Sequence, residues 1–267
     1  MIENKILWID FGFFMFRAIY GWKNNRTTSP TYMCLVSMIA NIKKVGLNPE
    51  DTLIIAVDSP HGNWRKEIDS AYKANRKEMR EKSDIDWSSM FSQFQSLLEN
   101  LEAYTPFHSI IVERMEADDI IAYGCKKFQD RVNIVLSADS DYEQLYAYPN
   151  IKMFSPISKR YKEVKNPYRI ILNKIRKETA DNLISPILTE EDYKRREMLV
   201  NLLKLPSEVE EAIDPFLENL HEKNWNYEKI YFQTLVPRLK TIYSQDNVVS
   251  MAYKPKKKVK ETKKLDL

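Results

Sequence analysis

Three apolar runs rich in β-branched residues each end in aspartate: KILWID at Asp10, TLIIAVD at Asp58, and NIVLSADSD at Asp139 and Asp141. Runs this apolar read as strands buried on both faces of a parallel sheet. In open α/β sheets, ligands bind outside the carboxyl ends of the strands. Acids at those ends therefore gather in one cleft, joined by those of Glu116-Ala117-Asp118-Asp119, which lies between the second and third runs. Crowded carboxylates repel one another unless a cation neutralises them. Mg²⁺ prefers carboxylate oxygen and water, and a pair of such ions suits phosphodiester chemistry.

The rest of the chain reads as alternating elements. Strands are expected at 5–10, 53–58, 109–113, 132–138 and 151–154, the last at a sheet edge. Helices are expected from Phe11 after a short turn containing Gly12, and at 32–45, 87–104, 116–128 and 142–148. This alternation predicts an α/β fold with a mostly parallel central sheet flanked by helices. After Lys165 the texture becomes charged and helical, as in EEDYKRREMLVNLLK and PSEVEEAIDPFLENL. The expected division is 1–165 for the sheet domain, 166–250 for a helical C-terminal region, and 251–267 for a basic, disordered tail.

Composition narrows the chemistry. With only 5 Gly there is no Gly-rich phosphate loop, and 3 His and 2 Cys, all scattered, argue against zinc. Cys34 and Cys125 read as reduced core thiols of a cytoplasmic protein. The apolar runs fall short of a membrane span, and the first residues lack the layout of a signal peptide. Net charge is +3, but its distribution is uneven: Arg65, Lys66, Lys73, Arg76, Lys77, Arg80 and Lys82 crowd one stretch. A basic strip beside an acidic cleft fits a nucleic-acid substrate.

Each signal has a plainer reading. A single strand-end aspartate usually caps the next helix; Asp10, Asp58 and Asp139 together with Glu116, Asp118 and Asp141 favour a metal site. Acids in the first turn of a helix are also favoured by its dipole. Neighbours on a helix point apart, so Asp119 is expected to pair locally while Glu116 and Asp118 serve the cleft. Tyr20, Trp64, Tyr72 and Trp87 are candidates for base stacking, with core packing the commoner role. His61, in a loop, is not expected to be catalytic.

The series IDF, AVDS, NWRKEIDSAYKANRKEMR, MEADDIIA and LSADSDYEQL resembles the 5′-nuclease (flap endonuclease, PIN-like) superfamily, within it the 5′→3′ exonucleases with RNase H activity that phages use to remove RNA primers. The resemblance runs from about Lys5 to Pro156 and returns near Lys174 to Asn182. It implies that Asp10, Asp58, Asp118 and Asp139 hold a first metal ion, and that Glu116 and Asp141 bridge or serve a second. It also implies that Lys73 and Arg76 engage the scissile phosphate from an arch segment spanning 62–104, where Arg65, Lys66, Lys77 and Arg80 add nucleic-acid contacts. The cofactor would be two Mg²⁺ ions, with Mn²⁺ as a substitute. The partners would be RNA–DNA hybrids and DNA with 5′ ends or flaps, and replication proteins such as a single-strand-binding protein or sliding clamp. The setting would be phage replication in the host cytoplasm.

The chain departs from that pattern at RKETADN. The family has a glycine and an aspartate where Lys177 and Glu178 stand here, while Asp181 and Asn182 match. Glu178 and Asp181, three apart, would share a helix face and complete the second site. The hairpin that follows in relatives is expected to be largely deleted. The alternatives are a PIN-type single-strand ribonuclease and a non-catalytic nucleic-acid-binding protein.

Overall fold

The computed structural model describes residues 4–24, 28–48, 50–176 and 187–220. Six strands form one sheet: β1 (Lys5–Asp10), β2 (Thr52–Val57), β3 (His108–Ile111), β4 (Val132–Leu136), β5 (Ile151–Ser155) and β6 (Arg160–Tyr161). Their spatial order is β3-β2-β1-β4-β5-β6. All pairings are parallel except β5 with β6. The order of the strands reverses between β1 and β4, which is where doubly wound sheets open their ligand crevice. Asp10 ends β1, and Asp139 follows β4 by three residues.

β1 shows why the sheet has two covered faces. Ile6, Leu7, Trp8 and Ile9 are all fully buried. Leu7 and Ile9 join Phe11, Phe14, Met38 and Phe94 in one core, whereas Ile6 and Trp8 join Ile120, Cys125 and Ile213 in the other. Helices α1 (Phe11–Asn24), α2 (Pro30–Val45) and α5 (Trp87–Tyr104) contribute to the first cluster. Helices α6 (Ala117–Lys127) and α9 (Ser207–Glu218) contribute to the second. A Cβ at Gly124 of α6 would lie 2.1 Å from the Trp8 ring, so this glycine lets helix and strand approach.

Between β2 and α5 lie two short helices, α3 (Arg65–Ile68) and α4 (Asn75–Glu81). α4 buries no residue, as its charged sequence NRKEMRE dictates. After β6 come α7 (Pro167–Arg176) and α8 (Glu190–Val200). Their Ile171, Ile175, Leu199 and Val200 pack with Tyr72 of the arch segment. Leu202 and Val209 join the second sheet core, so the described part of the helical region is built onto the sheet.

Several expectations change in detail. α1 begins directly at Phe11, with Gly12 inside its first turn rather than in a preceding one. β5 is not the edge strand, because the two-residue β6 pairs with it. The segment after β4 is a 3-10 helix, Ser140–Ala147. Residues 177–186, which contain Glu178, Asp181 and the site of the shortened hairpin, lie outside the described residues, as does the basic tail. Cys34 and Cys125 are buried, unbonded thiols. Among the described residues, no helix is long and apolar enough to cross a membrane.

Candidate active site

At the strand-order reversal the sheet opens into a cleft of about 440 Å³. Asp10, Asp58, Glu116, Asp118 and Asp139 line it, together with Gly12, Arg17, Tyr20, Lys73, Arg76 and Tyr142. Five of the eight expected metal-binding acids are thus brought together by β1, β2, α6 and the turn after β4. Three of them are fixed from behind by hydrogen bonds. Asp10 accepts hydrogen bonds from the Phe13 N–H at 3.1 Å and the Ser137 hydroxyl at 2.9 Å. Asp58 accepts from the Ala117 N–H at 2.8 Å, and Asp139 from the Asp141 N–H at 2.9 Å.

Burial and mutual repulsion make Asp10, Asp58 and Asp118 reluctant to ionise. Burial, then the charge of Asp58, pushes the Asp10 carboxyl up to about 6. Asp58 is raised mainly by burial. Asp118 is raised well above the carboxylate range, because burial outweighs the pull of Arg65. Its Oδ1 is buried without a hydrogen-bond partner. Tyr142 stays a phenol, held up by burial and the surrounding acids.

Glu116 is different. One oxygen receives Lys73 Nζ at 2.8 Å; the other receives the Tyr72 hydroxyl at 2.9 Å and Arg65 Nη1 at 3.1 Å. Burial opposes ionisation, yet Lys73 and Arg65 outweigh it and hold Glu116 at about 2. Lys73 itself sits at φ 51°, a left-handed backbone that non-glycine residues seldom adopt. Arg76, also on the cleft wall, is the second residue of the exposed helix α4.

Arg65 is not a surface phosphate contact as its position in the basic stretch implied. It is 1% exposed. Its guanidinium donates to both oxygens of Asp119, at 2.6 and 3.0 Å, and its Nε donates to the Leu199 carbonyl at 2.9 Å. It also lies over the Trp64 ring at 4.5 Å. A fork of donors satisfied by buried acids and a helix end is a structural arginine. Asp119 accepts the Glu116 N–H at 2.9 Å, the local pairing expected for it.

The remaining candidates divide. Lys66 and Arg80 line a groove adjoining the cleft, with Lys73, Arg76 and Phe91. Lys77 is exposed and faces Glu81 at 3.9 Å. Asp141 does not line the cleft; it pairs with Lys174 of α7. Trp64 and Tyr72 are buried. Trp87 packs against Phe16, Tyr20 and Phe91, while Tyr20 stays half exposed at the cleft. Sequence reasoning missed Arg17, which borders the acids from α1. Helical spacing from the strand-end Asp10 was the available clue.

The donor set suits hard divalent cations. A Cβ at Gly12 would sit 3.4 Å from Asp10 Oδ1 and 3.5 Å from Asp58 Oδ2, so the glycine leaves open the space between those carboxylates. Among the described residues no three ligating side chains close into a compact cage.

Comparison with known proteins identifies the family. Residues 5–178 match the model of the 5′-3′ exonuclease, N-terminal resolvase-like domain. The chain is 33% identical over 138 residues to the ribonuclease H of Enterobacteria phage T4, covering 51% of this chain and 45% of that one. It is 33% identical over 147 residues to a 5′-3′ exonuclease of Mycoplasmopsis pulmonis, covering 54% and 46%. It thus spans about half the length of the curated relatives it matches. In fold it resembles the phage T5 D15 protein co-crystallised with metal ions, with a TM-score of 0.60 at 18% identity over 81% of this chain and 98% of that one. A T5 D15 flap endonuclease complex with DNA and metal ions gives 0.57 over the same shares. With a family model covering most of its length and a sheet that assembles the acids at its crevice, the chain belongs to the 5′-3′ exonuclease N-terminal domain family.

Proposed function

We propose that this protein is a divalent-metal-dependent 5′→3′ exonuclease and flap endonuclease with RNase H activity, removing RNA primers or 5′ flaps during phage DNA replication. The observation that carries this reading is the meeting of Asp10, Asp58, Glu116, Asp118 and Asp139 with Lys73 and Arg76 around one cleft. Carboxylates facing cations across a crevice suit a phosphodiester, whose charge grows in the transition state.

Asp10, Asp58, Asp118 and Asp139 would hold the first of two Mg²⁺ ions, with Mn²⁺ as a substitute. Glu116 would serve the second, with Asp141, Asp181 and Glu178 as further candidates. Bound ions supply Lewis-acid stabilisation and a water of lowered pKa. Lys73 and Arg76 orient the phosphate and stabilise charge on its oxygens. Glu116 keeps Lys73 against the cleft wall until a phosphate competes for the ammonium. Lys66, Lys77 and Arg80 extend the path for the strand across the arch. The substrates are RNA–DNA hybrids and DNA with 5′ ends or flaps, and a single-strand-binding protein or sliding clamp is the expected kind of protein partner. The reaction takes place in the host cytoplasm.

The test is digestion of 5′-labelled RNA–DNA hybrid, flap and blunt duplex, with Mg²⁺ or with chelator. Short 5′ products that need Mg²⁺ are expected from the hybrid and the flap. Cleavage of single-stranded RNA alone, independent of a 5′ end, would instead favour a PIN-type ribonuclease.

A further inference from the structure

Charge is ordered along the carboxyl-end edge of the sheet. The arch cations follow β2, the acids sit at the ends of β1 and β4, and beyond them the chain turns after β5 to bring up Lys159. Lys159 has a φ of 59°, and its N–H donates to the Ser155 carbonyl at 2.9 Å. Its ammonium donates to Asn41 Oδ1 at 2.9 Å. Asn41 is fully buried, and its own amide donates to the Ser37 carbonyl at 2.7 Å. The lysine is therefore pinned by a fixed neutral acceptor.

Lys44 of α2 and Arg17 of α1 complete the group. Arg17 lines the acid cleft, its guanidinium 6.0 Å from the Phe13 ring. Lys159 is exposed overall, and the partial burial of its ammonium, then the charges of Lys44 and Arg17, hold it below its ordinary range. Among the described residues, these three cations have no carboxylate partner. Arg17 is at the cleft, Lys159 is anchored by an amide of α2 three residues before Lys44, and the charges of Lys44 and Arg17 both act on Lys159; such a group suits an incoming anion.

We propose that Arg17, Lys44 and Lys159 form a second phosphate-binding patch, which holds the backbone of the substrate on the side of the acid cleft opposite the arch. The proposal rests on the reading that a nucleic-acid strand crosses the cleft. From β2 to β5 is three strand spacings, about 14 Å. That distance covers about four phosphates of one strand, at 3.4 Å of helix axis each. One strand thus reaches both basic regions while its middle passes over the acids.

Binding of a fluorescently labelled RNA–DNA hybrid to the full chain tests this, read by anisotropy between about 50 and 200 mM salt. Ca²⁺ replaces Mg²⁺ to limit turnover. The double variant Lys44→Gln/Lys159→Gln is expected to flatten the log–log salt slope by about 1.4–1.8, the loss of two phosphate contacts. Lys44→Glu, at an exposed position, is expected to weaken binding at low salt by roughly tenfold. It decides alone if the double variant unfolds early. Wild-type slope and affinity in Lys44→Glu would overturn the patch, whatever the chain cleaves. A wild-type chain that binds the hybrid in this way and cleaves nothing would overturn the proposed activity and leave the patch standing. A wild-type chain that binds no hybrid would overturn both.

Discussion

The cleft has two halves built from the same residue type and balanced in opposite ways. At the ends of β1 and β2, Asp10 and Asp58 face each other and hydrogen-bond donors and form no ion pair among the described residues; Lys73 and Arg76 act on Asp58 only across the cleft, and both acids are raised. At the start of α6, Glu116 and Asp119 are saturated by Arg65, Lys73 and Tyr72, and Glu116 is held at about 2. The half compensated by the protein itself is architecture that ties the arch to α6 and α8. The other half is kept charged-ready at a cost, and that cost points to a cation from outside. For Asp10 the shift from 3.8 to about 6 corresponds to an upper limit on the order of 3 kcal/mol once ionised. Burying four apolar side chains of β1 contributes roughly 6–12 kcal/mol, so the strand readily carries the strain.

If that contrast is right, Lys73 sits on the boundary and changing it has the largest effect. Lys73→Ala should lower kcat by about 10²–10³, the range for losing one preorganised donor to transition-state charge. Substrate affinity should change much less. Single-turnover rates alongside equilibrium binding separate the two, and a change confined to affinity would make Lys73 an ordinary phosphate anchor.

The compensated half should fail by unfolding. Arg65→Leu leaves Asp119 buried without its cation and Glu116 with Lys73 alone, a loss of about 3–5 kcal/mol by urea denaturation. A stable Arg65→Leu protein with weakened nucleic-acid binding would restore Arg65 to the binding surface and break the contrast.

The two halves should also respond oppositely to pH in chelator. Asp10 keeps its proton in the folded state up to about 6 but loses it near 3.8 when unfolded. Stability therefore falls as pH rises from about 4 to 6, and Asp10→Asn should flatten that slope. Glu116, depressed from 4.5 to about 2, contributes stability that is present above 4.5 and lost as pH falls towards 2. Glu116→Gln should remove that acid-side loss. Thermal melts across pH check both signs.

The smallest effect belongs to the exposed arch. Lys77→Ala should reduce the salt slope of binding by about 0.7–0.9 with little change in stability, because its pairing with Glu81 is solvent-exposed. An unchanged slope would remove Lys77 from the strand path.

What was legible in the sequence follows the same physics. β-branched runs ending in acid located β1, β2 and β4 within a residue or two, since burial on both faces leaves little freedom of pattern. The meeting of Asp10, Asp58 and Asp139 followed from parallel topology alone. Arg65 was not legible, because a basic stretch shows charge but not which member turns inward; its acceptor, the Leu199 carbonyl, lies 134 residues away. The Asp141–Lys174 pair and the Lys159–Asn41 bond were hidden for the same reason. Two-residue β6 is too short to leave a periodic signal.

The central claim is that Asp10 and Asp58, raised and without an ion pair among the described residues, take metal ions. The most direct test is the Mg²⁺ dependence of cleavage of a 5′-labelled RNA–DNA hybrid by wild type and Asp58→Asn. The account predicts that chelator abolishes wild-type cleavage and Mg²⁺ restores it. It also predicts that Asp58→Asn, folded and at least as stable without metal, loses more than about 100-fold in rate, exceeding the cost of removing only a ligand's supporting contact. Cleavage by Asp58→Asn at the wild-type rate and the wild-type Mg²⁺ midpoint would contradict it.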